Sequence, residues 1–107
     1  MYLNKKRIVF SGGNGRFGKI FKKNKNNYKI FYPSKSELDI TKINKIRSYL
    51  KKIKPKYFIH CAALSRPMKI HYQDIKKSID INIIGTCNIV KICQEYKIKL
   101  IFFFKKL

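Results

Sequence analysis

The chain has 107 residues, which is enough for one domain with one hydrophobic core and too short for two. Hydrophobic residues make up 45% of it, a fraction typical of a globular fold, although 26 lysines and arginines face only 5 acids and give a net charge of +21. No apolar run approaches the roughly 18 residues that a membrane-spanning helix needs, and residues 1–12 lack the long apolar region of a secretory signal.

The first third of the chain predicts a strand, a glycine-rich turn, a helix and a second strand. Residues 7–11 form an apolar run that ends at Gly12, as a buried strand does when it enters a turn. Apolar residues at helical spacing predict a helix that begins at Arg16. Residues 28–32 alternate between polar and apolar side chains and predict a strand that ends at Pro33.

The middle of the chain predicts a helix between two strands. Residues 38–40 form a short apolar patch that indicates a brief third strand, and Thr41 is a suitable helix N-cap. Apolar residues spaced three and four apart predict an amphipathic helix over 43–53, which Pro55 stops. Residues 57–63 are continuously apolar, as in a strand that is buried on both faces.

The last third predicts a long helix over 74–96 and a final strand over 97–104. The apolar residues expected on one broad face of this helix are Ile75, Ile79, Ile83, Ile84, Val90 and Ile92. Alternating strands and helices predict an α/β fold of the Rossmann type. We expect a parallel sheet with helices on both faces, truncated after about the fifth strand.

The turn after the first strand carries the pattern Gly-x-x-Gly-x-x-Gly at Gly12, Gly15 and Gly18. In a dinucleotide site the first glycine permits the tight turn, the second lets the backbone approach a pyrophosphate, and the third lets the helix pack closely on the sheet. The N-terminus of the helix offers free N–H groups to the phosphates. The pattern follows a predicted strand and opens a helix, which is the context that favours nucleotide binding over a simple turn.

Together with three further segments, this motif resembles the extended short-chain dehydrogenase/reductase family. The segments are Ser-Glu-Leu-Asp-Ile-Thr at 36–41, the strand from Lys54-Pro55 to Ala62-Ala63, and Asn-x-x-Gly-Thr at 82–86. The family includes sugar-nucleotide epimerases, dehydratases and dTDP-4-dehydrorhamnose reductases, and the rhamnose-type reductases resemble this chain best. The resemblance spans nearly the whole chain and implies an NAD(P)-binding protein that handles nucleotide-linked sugars.

The resemblance also implies roles for single residues. Those implied around the pyrophosphate are Gly12, Asn14, Gly15, Arg16, Phe17 and Gly18. Asp39 would accept a hydrogen bond from the adenine amino group, beside an apolar contact from Ile40. The residues implied along the adenosine ribose and toward the nicotinamide are Ala62, Ala63 and Leu64. Asn82 would brace the sheet.

The end of the second strand bears on the choice between NAD and NADP. An acid there would hold the ribose 2′-hydroxyl of NAD, but the segment reads Tyr-Pro-Ser-Lys-Ser over 32–36. Lys35, with Ser34 or Ser36, could pair with a 2′-phosphate, which favours NADP slightly. A solvated surface lysine is the alternative.

The residues that the family uses for catalysis are not found where the resemblance would put them. The family has a Ser or Thr after the fifth strand and a later Tyr-x-x-x-Lys pair, whereas here residues 100–104 are followed only by Lys-Lys-Leu. The pairs Tyr2/Lys6 and Tyr72/Lys76 lie too early. We expect residues 1–107 to be an incomplete Rossmann domain, with no catalytic residue and no substrate-binding lobe, inactive alone and derived from a truncated or frameshifted gene.

The positive charge leaves a second class of function open, a small basic nucleic-acid-binding protein. All but four of the cations are lysine, and Lys, Asn, Ile, Phe and Tyr dominate the chain, as they do in proteins of AT-rich genomes. Nucleic-acid readers favour arginine for contacts to bases, so genome composition is the preferred explanation. A regulatory NADP sensor without chemistry is a third possibility.

The cysteines and histidines predict no metal site. Cys61, Cys87 and Cys93 lack metal-ligand spacing, and an odd number without a disulfide pattern suits a reducing cytoplasm. His60 lies in an apolar strand and is expected to be a hydrogen-bonded core residue. His71 has no cluster of partners.

Overall fold

The structure, a computed structural model, describes residues 6–12, 28–63 and 83–105. Their four strands are β1 (Lys6–Ser11), β2 (Tyr28–Phe31), β3 (Tyr57–Ala63) and β4 (Lys99–Lys105). They form one parallel sheet in the order β2-β1-β3-β4, with helix α1 (Ile43–Ile53) between β2 and β3 in the chain and helix α2 (Gly85–Glu95) between β3 and β4. The predicted α/β class is confirmed. The helix predicted from Arg16, the loop around Pro67 and the first part of the long helix lie outside the described residues.

Strand β1 is central and pairs with a neighbour on each side. Ile8 is in register with Ile30 of β2, and Phe10 is in register with Ile59 of β3. The chain therefore leaves β1 toward one side, and after β2 it crosses to the other side to form β3 and then β4. The reversal of direction falls between β1 and β3, which is where ligands bind in open parallel sheets, beyond the carboxyl ends of the strands.

Side chains from both described helices pack on one face of the sheet. The members of this cluster are Val9, Leu38, Ile46, Leu50, Phe58, Ile89, Ile92, Cys93 and Ile98. A smaller cluster of Ile8, Phe10 and Ile59 lies on the opposite face. Neighbouring residues of β1 and β3 are thus buried on alternate faces of the sheet. Because both faces are buried, the buried parts of these strands are mostly apolar rather than alternating between polar and apolar residues. Each fully buried Phe or Leu side chain contributes about 1.5–3 kcal/mol.

Helix α1 has the predicted amphipathic character and the predicted bounds. Ile46 and Leu50 lie one turn apart and are buried, whereas Lys45, Lys51 and Lys52 are exposed. On the solvent side Arg47 donates to both carboxylate oxygens of Glu95 at 3.2 and 3.4 Å, so an ion pair joins α1 to α2.

Two lysines end the helices in the left-handed backbone region. Lys54 follows α1 with φ 52°, and its N–H donates to the Leu50 carbonyl oxygen. Lys97 follows α2 with φ 56°, so β4 begins at Lys99 rather than at residue 97. A glycine usually occupies such a position because it has no Cβ to crowd the next carbonyl oxygen.

The predicted apolar face of the long helix is confirmed at Ile92 but is wrong at Ile83, Ile84 and Val90. Ile83, Ile84 and Val90 are among the exposed large hydrophobic residues, whereas Ile89 and Ile92 are buried with Gly85 and Cys93. The buried positions follow helical spacing, but apolar residues also occupy the opposite side. Periodicity alone could not show which side meets the sheet.

The region between β2 and α1 contains no third strand and no Thr41 cap, which corrects both predictions. Residues 35–37 form a turn, and the Leu38 N–H donates to the Ser34 carbonyl oxygen at 2.9 Å. The Thr41 hydroxyl donates to Asp39 rather than accepting from the helix, and Lys42 takes the N-cap position without a side-chain cap. Local side-chain hydrogen bonds have displaced both the ladder and the cap.

None of the described helices is long and apolar enough to cross a membrane.

Lys54→Gly should stabilise the fold by roughly 0.5–1 kcal/mol, because glycine removes the steric cost of the left-handed conformation. The matched control is Lys51→Gly, in the last turn of the same helix and exposed, which should destabilise by about 1 kcal/mol. Urea unfolding followed by far-UV circular dichroism measures both. Equal losses in the two variants would contradict the conformation found at Lys54.

Candidate dinucleotide-binding site

The described candidate residues gather at the carboxyl edge of the sheet. Gly12 follows β1, Lys35 and Asp39-Ile40 follow β2, and Ala62-Ala63 end β3. Parallel strands bring these ends to the same edge, although the residues are far apart in sequence. The candidates outside the described residues are Asn14, Gly15, Arg16, Phe17, Gly18 and Leu64, as is Asn82.

Gly12 makes the turn out of β1 in a conformation and a space that only glycine fits. Its φ is +83°, and a Cβ built on it would lie 2.7 Å from the Cys61 carbonyl oxygen and 3.2 Å from the Cys61 Cβ. The carbonyl belongs to the backbone of β3 and cannot rotate away. The first glycine of the motif thus lets β1 and β3 approach each other where the sheet changes direction.

Lys35 lies in a turn that a reciprocal pair of hydrogen bonds holds in place. The Ser34 N–H donates to Glu37 Oε1 at 3.0 Å, and the Glu37 N–H donates to Ser34 Oγ at 3.3 Å. The bonds follow the pattern of a capping box but close a turn rather than begin a helix, and the bond from the Ser34 backbone keeps the pKa of Glu37 below its ordinary value. Lys35 is exposed. The Ser-x-x-Glu spacing at 34–37 is a recognisable signal that the sequence analysis missed.

Asp39 has one carboxylate oxygen engaged within its own segment. Oδ1 accepts from Thr41 Oγ1 at 2.6 Å and from the Thr41 N–H at 3.0 Å. The hydroxyl bond is the main cause of the lowered pKa of Asp39, and Lys42 and Lys45 add to it, so the group is ionised near neutral pH. Among the described residues, none donates a hydrogen bond to Oδ2.

The first turn of α2 contacts the segment that holds Asp39. A Cβ on Gly85 would lie 2.5 Å from Ile40 Cδ1, so the absence of a side chain makes room for Ile40. Asn88 Nδ2 donates to the Ile40 carbonyl oxygen at 3.0 Å. The Asn-x-x-Gly-Thr segment indicated a helix, but the contact of that helix with residue 40 depends on tertiary structure and could not be read from the spacing.

His60 is a hydrogen-bonded core residue, as predicted. It is 3% exposed. Its Nδ1 lies 3.3 Å from Ser11 Oγ, its Nε2 lies 3.4 Å from Thr86 Oγ1, and its ring meets Phe102 edge-on. Burial lowers the pKa of His60 from 6.5 to about 4, so the ring is neutral near pH 7 and offers one donor and one acceptor to the two hydroxyls. The imidazole thus joins the end of β1 to the start of α2.

The three cysteines are free, and each has a different environment. Cys93 is buried, and burial raises the pKa of its thiol to about 12, whereas Cys87 is exposed. In the described part of the chain, no three His, Cys, Asp or Glu side chains come together as metal ligands.

Gly12→Ala should destabilise the chain by about 2–4 kcal/mol, because the methyl group meets the Cys61 carbonyl and the left-handed backbone is strained. The matched control is Gly85→Ala, whose methyl group has its nearest contacts with the Ile40 side chain, which can shift more readily than backbone, and which gains helix propensity. The control should lose less. Urea unfolding midpoints give the comparison, and a Gly12→Ala variant as stable as the parent would contradict the close approach of β1 and β3.

Stability should fall between pH 7 and pH 5 by about 2 kcal/mol through His60 alone. Its pKa is about 4 in the folded chain and near 6.5 when unfolded, so in this range the unfolded chain binds a proton that the folded chain does not. His60→Gln should be less stable at pH 7 but should lack this pH dependence. His71 is present in both proteins, so its contribution to the pH dependence of stability cancels when the two are compared. Parallel pH profiles for the two would show that His60 is not buried as a neutral ring.

The chain is similar to known proteins over most of its length. The family described as RmlD substrate binding domain matches residues 6–104. GDP-L-fucose synthase from Dictyostelium discoideum is 31% identical over 104 residues, a match that covers 89% of this chain and 31% of that protein.

Solved structures give the same result for the fold. Bacillus anthracis dTDP-4-dehydrorhamnose reductase, crystallised with NADP, is 32% identical with a TM-score of 0.80 and covers 90% of this chain and 35% of its own. The Clostridium acetobutylicum dTDP-4-dehydrorhamnose reductase is 25% identical with a TM-score of 0.78, covering 88% and 34%. The chain spans about a third of the length of these relatives. Over nearly all of its residues, the chain belongs to the RmlD family of extended short-chain dehydrogenases/reductases.

Proposed function

We propose that this chain binds NADP and forms the dinucleotide-binding part of a reductase that acts on nucleotide-linked sugars. The observation that carries the proposal is Gly12, which turns out of β1 against the Cys61 carbonyl at the point where the sheet changes direction. A backbone turn of this kind lets phosphates approach the end of the strand. The D. discoideum relative is a GDP-L-fucose synthase and the B. anthracis relative is a dTDP-4-dehydrorhamnose reductase, which supports the sugar-nucleotide class.

The described residues fit a dinucleotide laid along the carboxyl edge. Gly12 makes the tight turn out of β1 against Cys61, and we assign the pyrophosphate to this turn and to Asn14, Gly15, Arg16, Phe17 and Gly18. We assign the adenine to Asp39 and Ile40, where Oδ2 of the ionised carboxylate is available to accept from the amino group. Ala62 and Ala63 end β3 next to this turn, and with Leu64 they are assigned to the ribose and the path to the nicotinamide.

When bound, the nicotinamide supplies the hydride for reduction of a sugar carbonyl. The part of the site described here would hold and orient the cofactor. We propose that residues 1–107 form the dinucleotide-binding domain and that sugar reduction also needs the portion of the relatives that this chain does not span. The free thiols support a reducing compartment, and we place the protein in the cytoplasm.

The turn after β2 supports NADP rather than NAD. An enzyme specific for NAD would use an acid at the end of β2 to hold the ribose 2′-hydroxyl. Here the carboxylate of Glu37 is engaged by the Ser34 N–H, and the exposed Lys35 stands in the same turn. A lysine in this place would pair with a 2′-phosphate, and the B. anthracis relative was crystallised with NADP.

Titration with NADPH, followed by its fluorescence, tests the proposed function directly. We expect saturable binding of one NADPH per chain that persists in high salt. Dissolved salt weakens the attraction between exposed charges but has much less effect on contacts that are partly buried in a site. The net charge of +21 alone would attract any polyanion. The proposal would be contradicted if inorganic triphosphate displaced NADPH as well as unlabelled NADP does, or if binding disappeared in high salt.

Lys35→Ala should weaken NADPH binding about tenfold and leave NADH binding within about twofold, since one charge-assisted hydrogen bond to phosphate is lost. Lys52→Ala is the matched control, because Lys52 is an exposed lysine in the last turn of α1, at the end of the helix that is farther from Lys35. The control removes the same net charge without touching the carboxyl edge. An equal effect of the two substitutions, or an equal loss for both cofactors, would show that Lys35 does not select the 2′-phosphate.

A further inference from the structure

The segment proposed to recognise adenine is held by another part of the chain. Asp39, Ile40 and Thr41 form a tight turn before α1, in which Asp39 Oδ1 accepts both hydrogen bonds from Thr41. In addition, the Lys42 N–H donates to the Asp39 carbonyl oxygen at 3.0 Å. These bonds shape the turn, but all of them lie within four consecutive residues. They leave the place of the turn relative to the sheet undetermined.

The first turn of α2 supplies that placement. Asn88 Nδ2 donates to the Ile40 carbonyl oxygen at 3.0 Å across 48 residues of chain. Gly85 stands against the Ile40 side chain, where a Cβ would come within 2.5 Å of Cδ1. In the same turn of helix, the Thr86 hydroxyl lies 3.4 Å from His60 Nε2, and His60 reaches Ser11 at the end of β1. One helical turn thus contacts the adenine segment and, through His60, the strand that leads into the glycine turn.

Asn88 provides the polar contact between helix α2 and the turn that contains Asp39 and Ile40. Its side chain is partly buried, and it satisfies the Ile40 carbonyl group, which would otherwise face α2 without a donor among the described residues. Without that bond, only apolar contact would hold Ile40 against α2. Apolar contact is not directional and would not fix the orientation of the turn that contains Ile40. A hydrogen bond from adenine to the neighbouring Asp39 loses strength steeply with small changes in distance and angle.

We propose that Asn88 is a positioning residue for adenine recognition: its bond to Ile40 fixes where the Asp39 carboxylate meets the base. This inference rests on the proposed function. Asn88 itself does not touch the cofactor, and its effect reaches the base only through Ile40 and Asp39. The property that it controls is the preference for adenine over other purines, and it leaves contacts to the phosphates unchanged.

The test compares NADP with nicotinamide hypoxanthine dinucleotide phosphate, which carries a carbonyl oxygen in place of the adenine amino group. The oxygen cannot donate to Asp39 and would face its lone pairs, so the 107-residue chain should prefer NADP by at least about tenfold. Asp39→Asn should abolish this preference, because the amide can turn its N–H toward the hypoxanthine oxygen.

Asn88→Leu removes the donor and should reduce the preference to within about threefold of unity, mainly by weakening NADP. Gln94→Leu is the matched control: it makes the same amide-to-leucine change at an exposed position of α2 and should keep the parent preference. Asn88→Asp keeps the side-chain shape and also removes the donor, so it provides the same test should the leucine variant fail to fold.

The outcomes separate the two proposals. A variant of Asn88 that weakens both dinucleotides equally, with the parent ratio kept, would show that Asn88 is merely structural and would overturn the inference alone. Parent protein that binds NADP without preferring adenine would overturn the role of Asp39, and the inference with it. Parent protein that binds neither dinucleotide would overturn the proposed function itself.

Discussion

The parallel pairing of β1 with both β2 and β3 is the constraint on which the site depends. Because β2 and β3 pair with opposite sides of β1, the strand order reverses between β1 and β3, and ligands in open parallel sheets bind beyond the carboxyl ends of the strands at such a point. The gap is narrow, since Gly12 and the Cys61 carbonyl approach closely enough to exclude a Cβ. The glycine at residue 12 therefore serves the packing of the sheet, and a mutation there would change this packing together with the role proposed for the turn in phosphate binding.

The first turn of α2 connects the two halves of the candidate site. Gly85 and Asn88 contact Ile40, while Thr86 meets His60. These contacts put a neutral histidine, two hydroxyls and an amide in an otherwise apolar part of the molecule. Buried polar groups of this kind stabilise a structure only when each has its partner, so they specify one arrangement of the strands and helix.

Much of this fold could be predicted from the sequence because its elements have strong local patterns. The continuous apolar run at 57–63 and the 3–4 spacing at 43–53 gave β3 and α1 their bounds. The misplaced features depend on competition between local and distant partners. Thr41 is a residue type that suits an N-cap, but its hydroxyl bonds Asp39 instead, and residues 38–40 pair with none of the described strands.

For the site, the spacing of glycines and the resemblance to a family located Gly12, Lys35, Asp39 and Ala62-Ala63, and the structure places these at one edge. The Ser-x-x-Glu spacing at 34–37 was a usable signal for the hydrogen bonds between Ser34 and Glu37, but no sequence pattern could reveal Asn88 as part of the same arrangement. The bond from Asn88 spans 48 residues and depends on how α2 rotates against the sheet. That rotation could not be inferred, since apolar side chains lie on both sides of α2.

Strand β4 has consequences for how the protein behaves in solution. In the described sheet it lies at the end of the strand order, beside β3, and its residues 100–104 read Leu-Ile-Phe-Phe-Phe. Lysines stand at both ends of that sequence, at 99 and 105, and the whole chain carries +21. Mutual repulsion between copies with this charge opposes their association through apolar segments. Colloidal stability should consequently depend on ionic strength, because salt screens the repulsion between copies and leaves the apolar attraction between them unchanged.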